Sequence, residues 1–287
     1  MSAPSRSRAL ATSDRGEGPY LWRFGPIERL LHLMVIVSFF GLVVTGLPIH
    51  FAHEPWAHFL IRMHGGVETA GLIHRACAII TFTYFVIHLA TLTRKMLAGP
   101  NRKDLFWGPN SMVPQPKDVR DMIAMFRWFF GRGQRPRFDR FSYLEKFDYW
   151  AVFWGVAVIG GSGLLLWFPE LFARWLPGWV FNVATIVHGD EALLALVFIF
   201  TIHFFNGQLR PEKFPLDLVI FTGRATKAYM EEEHPLELER LEREGGIEVY
   251  VAPPPPRALY IASALIGTCA ILIGLTIAGL VIWATFR

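Results

Sequence analysis

The chain has 287 residues, of which 53% are hydrophobic and only 18% charged, with a mean hydropathy of +0.34 and a formal net charge of +4. This composition excludes an ordinary soluble domain of the same size and favours a membrane protein. Cys77 and Cys269 stand alone, outside any CxxC or CxxCH spacing, which argues against a disulfide scaffold, a cysteine-held cluster and thioether attachment of a prosthetic group.

In chain order, the N-terminal tail at 1–26 is polar and Arg-bearing. It is too long before its first apolar run for an ordinary signal peptide, so that run is expected to be retained. Five segments, at 27–47, 70–92, 147–168, 183–205 and 257–283, are long enough to cross about 30 Å of hydrocarbon at about 1.5 Å per helical residue. Between the second and third, KDVRDMIAMFRWFFG places Val119, Met122, Ile123, Phe126, Phe129 and Phe130 on one helical face. An amphipathic helix is therefore expected near 117–131, lying at the membrane surface or packed beneath the bundle. The connection at 218–256 is acidic through EEEHPLELERLERE and ends in Pro253 to Pro256. It reads as a solvated helix followed by a stiff polyproline lead into the last segment at 257–287.

Basic residues flanking spans are held on the cytoplasmic side. The N-terminal region carries five (Arg6, Arg8, Arg15, Arg23, Arg29), the connection between the second and third segments twelve, and that between the fourth and fifth seven, whereas the remaining loops carry one each, Arg62 and Arg174. The expected fold is all-α: an integral membrane bundle of five transmembrane helices with a cytoplasmic N-terminus and a periplasmic C-terminus, in a bacterial inner membrane. The net charge is then a matter of topology, and no nucleic-acid partner is expected. Phosphate loops, nucleophile elbows and HExxH motifs are absent.

Five histidines fall within the segments: His32, His74, His88, His188 and His203. Ionisable side chains inside a span are costly and point to function. Two neutral imidazoles on facing helices suffice to hold one haem b. His74 and His88 are 14 residues apart, about 40° from one face and about 21 Å along the axis; His188 and His203 are 15 apart, about 60° and about 22 Å. Each helix thus offers one ligand near each membrane surface, His74 with His188 outside, and His203 inside with either His32 or His88. Gly41, Gly46, Gly160, Gly161 and Gly163 would leave room for a porphyrin or serve close helix packing.

The runs GPIERLLHLMVIVSFFGLVVTGLP, GLIHRACA and HGDEALLALVFIFTIHFFNGQLRPEKFPLD resemble the di-haem cytochrome b subunits of respiratory formate dehydrogenases, nickel-iron hydrogenases and thiosulfate reductases, in particular variants associated with periplasmic multihaem cytochromes c. The resemblance spans about 23–217. It implies a four-helix di-haem core at 27–217, an outer haem on His74 and His188, and an inner haem on His32 and His203. His88 becomes a neighbour of the inner haem or of a quinone, or the alternative inner ligand. It further implies exchange of electrons between the menaquinone or ubiquinone pool and a periplasmic partner, either a multihaem cytochrome c or an iron–sulfur or catalytic subunit. His88, Glu28, Asp148 and Tyr149 are candidates for inner proton handling, Arg75 for a propionate contact, and Asp190 or Glu191 for a hydrogen bond to His188. The competing expectations are a haem-free transporter or proton relay, and a ferric-reductase-type haem protein. The first predicts no b-type spectrum, and the second needs a flavin and nicotinamide partner.

Overall fold

The computed structural model describes residues 19–99, 102–210, 213, 214 and 216–286. Five long apolar helices dominate it: α1 (Pro26–His50), α3 (Val67–Ala98), α5 (Tyr143–Trp167), α6 (Trp179–Leu209) and α9 (Arg257–Phe286). They coincide with the five apolar segments and each is longer than its segment. Polar residues at a membrane boundary end the hydrocarbon crossing without breaking the helix; α3 continues through Thr93, Arg94 and Lys95 and stops only before Gly99. Starts are marked by ordinary helix chemistry. Pro26 opens α1, where a missing N–H costs no hydrogen bond. Ser142 opens α5, accepting from the Glu145 amide at 3.3 Å while its own amide donates to the Glu145 carboxylate at 2.7 Å.

The spans pack through small residues where they touch. A Cβ at Gly41 on α1 would collide with Cys77 Sγ on α3, and a Cβ at Gly274 on α9 would lie 2.7 Å from both Phe200 and Phe204 on α6. Around that second contact Val43, Leu47, Phe51, Leu196, Phe200, Phe204, Ile277 and Val281 form the core shared by α1, α6 and α9. The outward faces keep Leu72, Ile79 and Val86 on α3 and Leu265, Leu272 and Ile282 on α9 exposed, a lateral apolar surface suited to lipid.

Two shorter helices flank the bundle, α2 (Pro55–Met63) between the first two spans and α4 (Pro116–Phe129) between the second and third. The acidic connection departs from expectation. It folds into a cap of α7 (Lys227–Glu233) and α8 (Pro235–Arg243) with strands β2 (Arg224–Thr226) and β3 (Val251–Ala252), which flank β1 (Tyr20–Trp22) in a three-stranded antiparallel sheet. Tyr20 pairs with Thr226 and Ala252. Residues 1–18 of the expected tail lie outside the described residues, and Tyr20–Trp22 of the remainder form the central strand of this sheet.

The stretch read as solvated keeps Glu231, Glu232, Glu239, Glu242 and Glu244 exposed but buries two acids, Glu237 at 3% and Glu233 at 5% exposure. The reason is pairing across the chain. Glu237 bonds the guanidinium groups of Arg23 and Arg140, and Glu233 accepts from Arg135 at 2.8 Å and Arg210 at 2.5 Å. His234 Nδ1 donates to Asp139 O at 2.7 Å, and its Nε2 accepts from Arg23 at 2.9 Å. Burial beside Arg23 accordingly pushes the His234 imidazole down to about 4.

Candidate functional site

The intramembrane histidines fall into two groups. His74 on α3 and His188 on α6 face each other with ring centres 6.2 Å apart. Each ring is held at Nδ1. Thr45 Oγ1 lies 2.9 Å from His74 Nδ1 and spends its own proton on Gly41 O at 2.6 Å, so the imidazole N–H is the donor. His188 Nδ1 lies 2.9 Å from Ile159 O, a group that only accepts, and 3.3 Å from Ser162 Oγ. Both rings therefore carry their proton on Nδ1 and keep the Nε2 lone pair for a ligand.

Irregular helix geometry accompanies this arrangement. α5 widens into a π turn over Val156–Gly160, and the Ile159 carbonyl that meets His188 lies within it. α6 contains a second π turn over Ile199–His203. A π turn absorbs one extra residue, so the spacing of His188 and His203 behaves more like 14 than 15, bringing the angle between them towards the about 40° of His74 and His88. Nothing in the apolar pattern of α5 or α6 marks these turns.

The glycines make room for the rings themselves. A Cβ at Gly46 would sit 3.1 Å from His74 Cε1, and one at Gly163 would sit 3.0 Å from His188 Cε1. Gly160 is tight against Phe82, whereas Gly161 faces open space.

At the other end of the bundle, His203 Nδ1 donates to Asp148 Oδ2 at 3.0 Å. His32 on α1 packs edge-on against Phe221 and lies within electrostatic reach of His203. His88 turns towards α5: its Nε2 shares a 2.8 Å hydrogen bond with the Tyr149 hydroxyl, with Phe153 alongside. Lys95 and Glu28 form a 3.9 Å ion pair close enough to act on the His88 ring.

Other candidate contacts go elsewhere. Arg75 is exposed and stacks over Trp167 at 5.7 Å. Glu191 accepts from Trp154 Nε1 at 3.2 Å and Asp190 is exposed, while the polar partners of His188 are the Ile159 carbonyl and Ser162. Sequence reasoning did not single out Thr45, Ser162 or the Ile159 carbonyl. The one available signal was a hydroxyl residue among the glycines of GGSG.

Facing imidazoles held at Nδ1, with their Nε2 lone pairs unspent, have the chemistry to hold a haem iron between two helices. Among the described residues no three His, Cys, Asp or Glu side chains converge, so the ligand sets available are such pairs.

Residues 23–206, well over half of the chain, match the family model described as prokaryotic cytochrome b561. The chain belongs to that family. It is similar also to the formate dehydrogenase cytochrome b556 subunit of Haemophilus influenzae, with 22% identity over 212 residues covering 72% of this chain and 77% of that protein. Family membership makes the protein a multi-pass membrane cytochrome of electron transport that carries haem b, and it displaces the haem-free transporter.

Proposed function

We propose that this b561-type cytochrome carries two haems b and moves electrons between the membrane quinone pool, menaquinone or ubiquinone, and a periplasmic redox partner. The observation that carries the reading is the facing pair His74 and His188, both held at Nδ1 with their Nε2 lone pairs free. His74 and His188 would hold the outer haem, and His32 and His203 the inner one, within the core at 27–217. When bound, each bis-imidazole haem supplies a one-electron iron couple.

The chain's own contribution is to fix imidazole tautomers, to set the two sites about 20 Å apart along α6, and to surround them with apolar side chains. At the inner end His88 and Tyr149, joined by their hydrogen bond, are placed to exchange the proton that accompanies quinone redox. Arg75, freed from Trp167, would reach an outer propionate. The basic connections favour a cytoplasmic N-terminus in a bacterial inner membrane. Likeness to a formate dehydrogenase subunit supports a respiratory partner, an iron–sulfur or catalytic subunit or a multihaem cytochrome c.

The test is a reduced-minus-oxidised spectrum and haem count on the purified protein, expected at two b haems per chain. His32→Ala and His203→Ala should each remove one haem, whereas His88→Ala should keep both and slow quinol oxidation. Two haems retained in His32→Ala with one lost in His88→Ala would reassign the inner ligand.

A further inference from the structure

The two sites differ in what holds their imidazoles. The outer pair is held by neutral groups, the Thr45 hydroxyl and the Ile159 carbonyl. His203 is held by a carboxylate, Asp148, whose second oxygen Oδ1 is buried without a hydrogen-bond partner among the described residues. Arg210, the cation nearest His203 in the chain on its C-terminal side, bonds Glu233, and Arg29, one turn before His32, donates to the Phe221 carbonyl at 2.8 Å. At the outer pair Arg75 adjoins His74 in the chain and stacks over Trp167, while the acids that follow His188 turn elsewhere, Asp190 exposed and Glu191 accepting from Trp154.

We infer that Asp148 is a positioning residue that locks His203 through its Nδ1–H and makes the His203 haem the lower-potential site of the two. This rests on the di-haem reading above. An anionic acceptor on the far nitrogen makes an imidazole a stronger donor to its iron, and the carboxylate charge itself favours the more positive oxidised state. A low-dielectric span leaves that charge poorly screened. Neutral partners at His74 and His188 give no such bias. The resulting order sets a downhill gradient from the inner site to the outer one.

The experiment is an optical redox titration of the purified, haem-loaded protein beside Asp148→Asn, Asp148→Glu and His188→Ala, with haem counted in each. His188→Ala identifies the outer component by its loss. The carboxamide introduced by D148N still accepts from the imidazole but carries no charge, so the inner component of that variant should become easier to reduce by about tenfold or more, a shift of about 59 mV for one electron. D148E should stay close to the unaltered protein and the outer component should not move. A purely packing role would change haem content and leave the potentials of retained haems in place. Unmoved potentials in D148N at full haem content, or a shift confined to the outer component, overturn the inference. Should D148N lose its inner haem, the unaltered protein decides: the component that survives in His188→Ala must be the lower of the two, and the reverse order overturns the assignment. An unaltered protein without b haem removes the di-haem reading itself, an outcome distinct from any of these.

Discussion

Gly163 and Gly161 are two residues apart on α5 and separate two uses of membrane glycine. A methyl group at Gly163 would press on His188 Cε1 at 3.0 Å, and one at Gly161 would meet open space. Alanine at either position removes the helix penalty of glycine, about 0.5–1 kcal/mol. Gly161→Ala is therefore expected to be neutral or slightly stabilising with full haem content. Gly163→Ala should displace the imidazole and lower the occupancy of the outer haem, read as haem per chain and as a weakened component missing in His188→Ala. Equal haem content in the two variants would show that the ring has slack. The ligand candidates were legible from spacing because a costly residue at a fixed helical phase is a strong signal. Their hydrogen-bond partners were not. The Ile159 carbonyl lies in a π turn that the apolar pattern does not mark, and Thr45 serves from a helix whose pairing with α3 no local pattern encodes.

Among elements, α4 shows how far a periodic stripe can be taken. Its apolar face was visible in KDVRDMIAMFRWFFG, but period alone left open whether that face met lipid or protein. The fold turns it outward: Phe126 is 58% exposed and Phe129 64%, while Met125 and Asp118 are buried and Asp118 holds Lys146 at 2.9 Å. Anchored on its polar side, the helix presents an exposed aromatic side that a bilayer boundary would cover. A nitroxide at Phe126→Cys, with Cys269→Ser to remove the exposed thiol, should collide more with oxygen dissolved in lipid than with a water-soluble nickel chelate. The same label at the exposed Arg120 should show the opposite preference. Chelate dominance at both positions would place α4 in water. Span boundaries were the less legible part, because helices outlast the hydrocarbon that first reveals them.

At the scale of the whole molecule, the cap ties together parts of the chain that local sequence reads as unrelated. Arg23 precedes the first span, Arg140 precedes the third and Glu237 follows the fourth, yet the three share one buried cluster. An acidic run looks solvated until its partners, 23 to 214 residues away, are known. Lys213 and Arg210, just beyond the helix that carries His203, join the same system through Glu233. Glu237→Gln would leave Arg23 buried with its closest counter-charge gone, and loss of one partner from a buried pair costs about 3–5 kcal/mol. Chemical denaturation of the cap should register it. Acid acts in the same direction. Cationic neighbours hold Glu237 below its ordinary range and Glu233 down to about 2, and His234 stands at about 4 rather than 6.5. All three bind protons more tightly once the cap opens, so its stability is full at neutral pH and falls on acidification. His234 contributes the loss from about pH 6.5 to 4, and Glu233 the loss from about 4.5 towards 2. Amide exchange corrected for its intrinsic pH dependence should therefore show residues 224–252 losing protection between pH 7 and 4 while the spans keep theirs. Unchanged cap protection across that range would mean that the buried charges are matched equally well in the open chain.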